Sequence, residues 1–274
     1  MSAGASADRP APLAAMPLPV RRGIRGVLTD VDDTLTTEGL LPDVARQALD
    51  ALAAAGIPVV AITGRPAGYC EELLAQWPLA AIVGENGGVW MQRDAASGAI
   101  AAHYEHEPQE RARQRAALAA IGARVLAAVP AARLAVDRYR RETDLAIDWA
   151  ERVTPLPRGD VDRIVAMLTD AGLATAVSSI HVHGWYGTHD KLATSRELFR
   201  EAFGIDLAAG REHYTYVGDA PNDAPMFAFF PHAVGVANVR RFLDRIATPP
   251  AYVTNAEAGE GFAELARLLL DARR

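Results

Sequence analysis

The residues best suited to chemistry are aspartates in two short motifs that lie far apart in the sequence. Asp30 and Asp32 belong to the first motif, Thr-Asp-Val-Asp-Asp-Thr, and Asp219 and Asp223 to the second, Gly-Asp-Ala-Pro-Asn-Asp. Each motif follows a short apolar run that predicts a buried strand, and parallel strands place their carboxyl ends at one edge of a sheet. Carboxylates gathered there cannot all remain ionised unless a cation compensates their charge. We therefore expect these four aspartates to hold a hard, oxygen-binding ion, Mg²⁺.

A carboxylate beside a magnesium ion suits phosphoryl transfer. An ionised Asp30 can attack a phosphorus atom in line, because the metal offsets the repulsion between the carboxylate and the phosphate. Asp32 can protonate the leaving oxygen and then activate the water that cleaves the aspartyl phosphate. The Thr63 hydroxyl and the Gly64 backbone N–H, which follow the second predicted strand, can hydrogen-bond phosphate oxygens.

The lysine content points to one further residue. The chain has 28 lysines and arginines, and Lys191 is the only lysine among them. It stands at the start of a predicted helix, and a compact ammonium group fits between a carboxylate and a phosphate where the wide guanidinium fits poorly. We predict that Lys191 is the fixed cation of the site.

Alternating strand and helix patterns predict a parallel sheet. Strands are predicted at residues 27–29, 58–62 and 79–83, with helices at 42–55 and 66–77 between them. The alternation of helix and strand patterns resumes from Lys191 to Leu270. Such β-α-β-α-β units form parallel sheets with helices on their faces.

The middle of the chain has a different pattern. Residues 108–186 follow the order helix, strand, strand, helix, strand, strand, which indicates an antiparallel sheet with two helices. The predicted fold class is therefore α/β: a Rossmann-like parallel-sheet core over residues 21–92 and 187–274, with an α+β domain inserted at residues 93–186. Residues 1–20, rich in alanine and proline, are predicted to be a disordered leader.

Composition excludes several classes of protein. The 274 residues carry a formal net charge of −6, which argues against a nucleic-acid surface. Arg, Asp, Gly or Pro interrupts every apolar run before the roughly 18 residues that a membrane span needs. Cys70 is the one cysteine, so no internal disulfide and no multi-thiolate metal site can form. We expect a cytoplasmic monomer or homodimer that binds a small molecule, with no nucleic-acid or membrane partner.

These residues resemble the haloacid dehalogenase (HAD) superfamily of aspartate-nucleophile phosphatases, within it subclass IIB, which has a type B cap. The resemblance covers roughly residues 24–270, and the family's motifs are matched in order and spacing. It implies that Asp30 is the nucleophile and Asp32 the acid and base, and that Mg²⁺ is held by the Asp30 carboxylate, the Asp32 carbonyl and Asp219, with Asp223 nearby. It also implies that the inserted domain is a cap that carries substrate specificity. Asp33 stands where glycine is common in the family.

Candidate substrate-binding residues lie outside the acidic motifs. Next to the predicted strand ends, they are Gly64, Arg65, Asn86 and Asn222. In the inserted domain, an arginine cluster and two histidines have either a structural or a substrate-binding role: Arg138, Arg140, Arg141, His181 and His183.

The function expected from these residues is Mg²⁺-dependent hydrolysis of a small phosphorylated metabolite, a sugar phosphate or a small phosphorylated acid. One alternative is a phosphosugar mutase of the phosphomannomutase type, which would return the phosphoryl group to another hydroxyl. A receiver-like signalling module is less favoured, because Asp32 would shorten the life of a phosphoaspartate.

Overall fold

A computed structural model of the chain describes residues 10–94 and 96–274. The chain divides into two compact units, residues 1–60 with 207–274 and residues 61–206. The boundary falls within the strand Val59–Ile62. No helix of the described ranges is both long and apolar enough to cross a membrane.

The strands are numbered in chain order. They are β1 (Ala11–Pro12), β2 (Gly26–Thr29), β3 (Val59–Ile62), β4 (Ala81–Gly84), β5 (Val89–Arg93), β6 (Ile100–Tyr104), β7 (Arg133–Leu134), β8 (Asp144–Asp148), β9 (Ala174–Val177), β10 (His181–Trp185), β11 (Tyr214–Gly218), β12 (Val234–Gly235) and β13 (Tyr252–Val253).

The α-helices are numbered in the same way. They are α1 (Leu18–Gly23), α2 (Asp43–Ala54), α3 (Ala67–Gln76), α4 (Pro108–Ala128), α5 (Arg158–Asp170), α6 (Lys191–Phe203), α7 (Leu207–Gly210), α8 (Ala224–Phe229) and α9 (Ala258–Asp271).

The first unit is built on parallel strands in the order β1-β13-β12-β11-β2. Every residue of β2 and of β11 is buried, as expected for strands that are covered on both faces. Val217 of β11 lies opposite Thr29 of β2, so the two strands end at the same edge of the sheet. This register brings the residues that follow both strands to one place.

Helices α2 and α9 pack against each other in this unit. Helix α2 buries Ala45, Ala48, Leu49 and Leu52, the spacing of one helical face. Full burial of each such leucine contributes about 1.5–3 kcal/mol relative to an exposed one.

The prediction of a disordered leader is wrong for residues 10–20, and residues 1–9 lie outside the described residues. Strand β1 pairs in parallel with β13, and the side chains of Leu13 and Met16 are 1% and 0% exposed. The pairing of β1 with β13 joins this segment to residues about 240 positions later in the chain. The amino-acid composition of residues 10–20 does not indicate such a distant contact.

The second unit contains an antiparallel hairpin that the sequence analysis did not predict. β4 pairs antiparallel with β5, and β5 with β6. The hairpin turns at Asp94, whose Oδ1 accepts the Ser97 N–H at 2.7 Å. Its strands include His103 and Gln92, so apolar periodicity there is weak.

A separate antiparallel sheet in the second unit has the order β7-β8-β10-β9. Helices α4 and α5 supply its core, which includes Leu118, Val125, Ile164 and Leu168. The predicted α/β fold class, a parallel sheet with an additional α-β-β-α-β-β antiparallel sheet, is confirmed. Strand β7 is only two residues long, and the chain forms a short 3₁₀ helix at Arg138–Arg140 before β8.

Candidate functional site

In the first unit, three buried carboxylates meet at the end of the parallel sheet. Asp30 follows β2, Asp219 follows β11, and Asp223 lies in the short 3₁₀ turn Pro221–Asp223. They are 6%, 1% and 0% exposed, and each offers a carboxylate oxygen within 4.8 Å of the others. The Asp30 N–H donates to the Val217 carbonyl at 2.8 Å, which fixes the start of the first motif against β11.

The oxygen-only donor set of this triad fits a hard divalent cation. Buried carboxylates at such distances repel one another unless a positive charge compensates them. Mg²⁺ prefers carboxylate oxygens, so Asp30, Asp219 and Asp223 are the side chains that could hold it. Asp32 is half-buried, and its carboxylate is not a member of the triad.

Asp223 also orders the loop that carries Asp219. Its Oδ2 accepts the N–H groups of Asp219 and Ala220, at 2.9 and 3.2 Å. Its Oδ1 accepts the Tyr216 hydroxyl at 2.5 Å. Burial raises the pKa of Tyr216 well above its usual value, and the neighbouring Asp223 and Asp30 raise it further. Tyr216 therefore stays a neutral hydrogen-bond donor to Asp223.

Asn238 is a residue of this site that the sequence analysis missed. It lies in a 3₁₀ turn after β12 and is 4% exposed. Its Nδ2 donates to Asp219 Oδ2 and to the Asp33 carbonyl, both at 2.9 Å, and its Oδ1 accepts the Ala258 N–H at 3.0 Å. Its position in the sequence, just beyond the end of a predicted strand, could have identified Asn238 in the same way as it identified Asp30.

The geometry of Asp33 explains its place in the loop after β2. Its φ is 54°, in the left-handed region that glycine favours and that aspartate tolerates better than most residues. Its carbonyl is held by Asn238. Next to it, the Thr34 hydroxyl donates to Asp219 Oδ1 at 3.4 Å.

In the second unit, the loop after β3 is linked to the turn after β4. Thr63 Oγ1 accepts the Arg65 N–H at 3.0 Å, which leaves the hydroxyl proton of Thr63 available to donate. The Thr63 carbonyl accepts the Asn86 N–H at 3.0 Å, and the Arg65 carbonyl accepts the Glu85 N–H at 2.9 Å. Predicted residues Thr63, Gly64, Arg65 and Asn86 therefore lie together.

Lys191 is the first residue of α6 and is 2% exposed. The N-cap of that helix is Asp190, whose Oδ1 accepts the Ala193 N–H at 2.6 Å. Thr194 Oγ1 donates to the Gly87 carbonyl at 2.8 Å. Gly87, with φ of 115°, can have no side chain because a Cβ would collide with the Asp190 carbonyl. The helix that carries Lys191 is thus packed against the turn that carries Asn86.

Glu85 joins that turn to the segment before β8. Its Oε1 accepts the N–H groups of Ala67 and Glu142, at 2.8 and 2.9 Å. Its Oε2 accepts the N–H and the hydroxyl of Thr143, at 2.5 and 2.6 Å. Glu85 is fully buried, and burial, together with the charge of Asp144, raises the pKa of its carboxyl.

The three arginines of the cluster have different surroundings. Arg138 is exposed, whereas Arg140 donates to the Gly68 carbonyl and pairs with Glu72. Arg141 is 4% exposed and donates to the Gly64 carbonyl at 2.9 Å.

Arg141 also connects the Gly64 loop to two carboxylates. It donates to Asp144 Oδ1 at 2.8 Å and to Asp137 Oδ1 at 3.1 Å. Burial alone would lower the pKa of Arg141, but these two carboxylates raise it above its ordinary value, so the guanidinium is always charged.

The two histidines of β10 each have a carboxylate partner. His181 Nε2 lies 3.0 Å from Glu151 Oε2, and His183 Nδ1 lies 2.9 Å from Asp144 Oδ2. Burial lowers the pKa of His183 to about 4, although Asp144 opposes the change. Burial alone would raise the pKa of Asp144, but Arg141 and His183 lower it to about 2. At neutral pH, His183 is therefore neutral and Asp144 ionised.

Asn222 and Arg65 complete the predicted set. Asn222 is half-buried in the turn before Asp223, and its Oδ1 is buried with no hydrogen-bond partner among the described residues. The Arg65 guanidinium lies 3.6 Å from Glu151 and 3.8 Å from Asp137, and it stacks over the Tyr69 ring at 5.2 Å.

Residues 27–113, which include the Asp30 motif and the Thr63 loop, match the family model of haloacid dehalogenase-like hydrolases. Over this segment, the chain resembles the haloacid dehalogenase-like hydrolases. The predicted resemblance to the HAD superfamily and the predicted class of hydrolase are thus confirmed. A sequence comparison with curated proteins gives no match.

Solved structures of HAD phosphatases have the same fold as this chain. The C-terminal domain of trehalose-6-phosphate phosphatase from C. albicans is 14% identical, covers 96% of this chain and 99% of its own, and has a TM-score of 0.70. The sucrose-phosphatase from Synechocystis, solved with sucrose and phosphate, is 16% identical, with coverages of 90% and 98% and a TM-score of 0.62. A subclass IIB sugar phosphatase is 15% identical, with coverages of 89% and 98% and a TM-score of 0.60.

Proposed function

We propose that this protein is a Mg²⁺-dependent phosphatase of HAD subclass IIB. Its substrate would be a small phosphorylated metabolite, a sugar phosphate or a small phosphorylated acid. The observation that carries the proposal is the buried triad of Asp30, Asp219 and Asp223 at the ends of adjacent parallel strands. Structural neighbours whose names state that they are sugar phosphatases support the same class.

In the proposed reaction, Asp30 attacks the phosphorus of the ester, and the bond between phosphorus and the leaving oxygen breaks. Asp32 gives that oxygen its proton, so the product leaves as a neutral alcohol. Asp32 then takes a proton from a water molecule, whose oxygen attacks the phosphorus, and the bond to Asp30 breaks to release inorganic phosphate. Both aspartates return to their starting states.

Mg²⁺, held by the carboxylates of Asp30, Asp219 and Asp223 and by the Asp32 carbonyl, would supply the positive charge that offsets repulsion between Asp30 and the substrate phosphate. Thr63 and the Gly64 N–H would donate to the phosphoryl oxygens.

Lys191 would add a fixed positive charge. Arg65, Asn86 and Asn222 would bind other parts of the substrate. Residues 93–186 would be a cap that excludes bulk water and selects the substrate. Location in the cytoplasm and a monomer or homodimer stay predictions from the sequence.

The test is phosphate release from a panel of phosphorylated metabolites and p-nitrophenyl phosphate, with Mg²⁺ or with EDTA. We expect Mg²⁺-dependent release that Asp30→Asn abolishes, because an amide is not a nucleophile of comparable strength. Asp43→Asn, at an exposed aspartate at the start of α2 and outside both motifs, is the matched control and should retain activity. Interconversion of sugar phosphates without phosphate release would contradict a phosphatase and identify a mutase.

A further inference from the structure

Two polar side chains of the second unit face the same side of Gly64. A Cβ atom on Gly64 would lie 2.9 Å from His183 Nε2 and 3.1 Å from Asn86 Nδ2. Glycine at this position therefore leaves room that both nitrogens border. Any larger residue would fill the space between them.

Asn86 is buried without internal partners. Its side chain is 1% exposed, and neither Nδ2 nor Oδ1 has a hydrogen-bond partner among the described residues. Its φ of 54° lies in the left-handed region, so the backbone conformation of Asn86 also destabilises the fold. A buried amide that forms no hydrogen bond destabilises the protein, so these atoms are suited to a group that comes from outside the chain.

The Asp144 carboxylate determines which His183 nitrogen can accept a hydrogen bond. Ionised Asp144 can only accept, so its 2.9 Å contact requires the proton on His183 Nδ1. Because the ring is neutral at pH 7, Nε2 then carries a lone pair and no proton. Asp144 is itself fixed by Arg141, so this tautomer is built into the fold.

We infer that His183 and Asn86 are a specificity-determining pair that binds a hydroxyl group of the substrate's leaving alcohol. The O–H group of the substrate donates a hydrogen bond to His183 Nε2, and its oxygen accepts a hydrogen bond from the Asn86 amide. A carboxylate or a second phosphate monoester has no proton to give to Nε2 at neutral pH, so it is disfavoured. The inference rests on the proposed function and narrows it to hydroxylated phosphate esters over phosphorylated acids.

The charged side chains near His183 also favour a neutral hydroxyl over an anionic group of the substrate. The guanidinium of Arg141 is bonded to Asp144 and Asp137, and that of Arg65 lies within 4 Å of Asp137 and Glu151. These arginines thus already lie against carboxylates, and a further anion beside them would meet net negative charge. A neutral hydroxyl carries no such penalty.

The experiment compares kcat/KM for hexose 6-phosphates and glycerol phosphates with that for phosphoglycolate and for p-nitrophenyl phosphate, which has no free hydroxyl. We expect the unmodified protein to prefer a hydroxylated ester over phosphoglycolate. His183→Asn keeps a donor for Asp144 but lacks Nε2, so the ratio of kcat/KM for the hydroxylated ester to that for p-nitrophenyl phosphate should fall about tenfold or more, mainly through KM. His183→Gln, which places an acceptor near the Nε2 position, should restore part of the ratio.

His213→Asn, at an exposed histidine of the first unit, is the matched control and should leave the ratio unchanged. The inference is overturned if His183→Asn lowers both activities equally, or if phosphoglycolate is the preferred ester. Failure of the proposed function is recognised separately, as no Asp30-dependent release from any ester. In that event, equilibrium binding of glucose 6-phosphate decides the inference, since His183→Asn must weaken it and an unchanged affinity refutes the pair.

Discussion

The neutral state of His183 predicts a specific loss of stability in mild acid. Burial lowers the pKa of His183 from the ordinary value of 6.5 to about 4. Between these two pH values, the unfolded chain binds a proton that the folded protein does not bind. The stability contributed by His183 is therefore complete above pH 6.5 and is lost as the pH falls towards 4.

The size of the loss follows from the same two values. A difference of about 2.5 pH units corresponds to about 3 kcal/mol if the whole interval is crossed. From pH 7 to pH 5, the proton linkage of this one residue lowers the free energy of unfolding by about 2 kcal/mol. Asp144, with its pKa lowered to about 2, stays ionised at both pH values and does not contribute to the change.

The assay is urea unfolding of the unmodified protein and of His183→Asn at pH 7 and pH 5. Asparagine can still donate to Asp144 but does not titrate, so the variant should lose about 2 kcal/mol less than the unmodified protein between the two pH values. His213→Asn, at an exposed position, should show the full loss. An identical pH dependence in His183→Asn and in the unmodified protein would mean that His183 titrates normally in the fold, and the tautomer argument would fail with it.

Three further changes test the first unit and the fixed cation. Lys191→Arg should lower kcat about 10²-fold or more, measured by phosphate release, because the wider guanidinium cannot replace a positioned ammonium group; near-normal turnover would refute the role of Lys191. Tyr216→Phe removes the hydroxyl that donates to Asp223 but keeps the ring, and it should cost about 2 kcal/mol in urea unfolding; an unchanged midpoint would contradict that bond. Mg²⁺ should raise the thermal midpoint of the unmodified protein and not that of Asp219→Asn, and an equal rise in both would show that the triad is not where the ion binds.

The parallel sheet and its acidic edge were predictable because their signals are local. Each strand is a short buried run, and the chemistry follows it within a few residues, as at Asp30 and Asp219. The rule that parallel strands end together then places the residues without knowledge of distant contacts. The same rule applied after β12 would have selected Asn238.

The features that escaped prediction depend on register or on remote partners. His183 and Asp144 lie on neighbouring strands, and their contact appears only once β10 is aligned with β8. The sequence left the role of Arg141 open between structure and substrate binding, because its bond to the Gly64 carbonyl spans 77 residues of sequence. Residues 10–20 are too short and too proline-rich to indicate order by themselves.

The hydrogen bonds that end on the Glu85 carboxylate join two segments that are remote in sequence. Through Ala67 and Thr143, the carboxylate ties the beginning of α3 to the strand entry at β8. Any movement of the antiparallel sheet would therefore either move the Gly64 loop with it or break these hydrogen bonds. The proposed binding of the alcohol and the position of the Gly64 loop therefore both depend on Glu85, so a substitution at Glu85 should impair substrate choice and loop placement together.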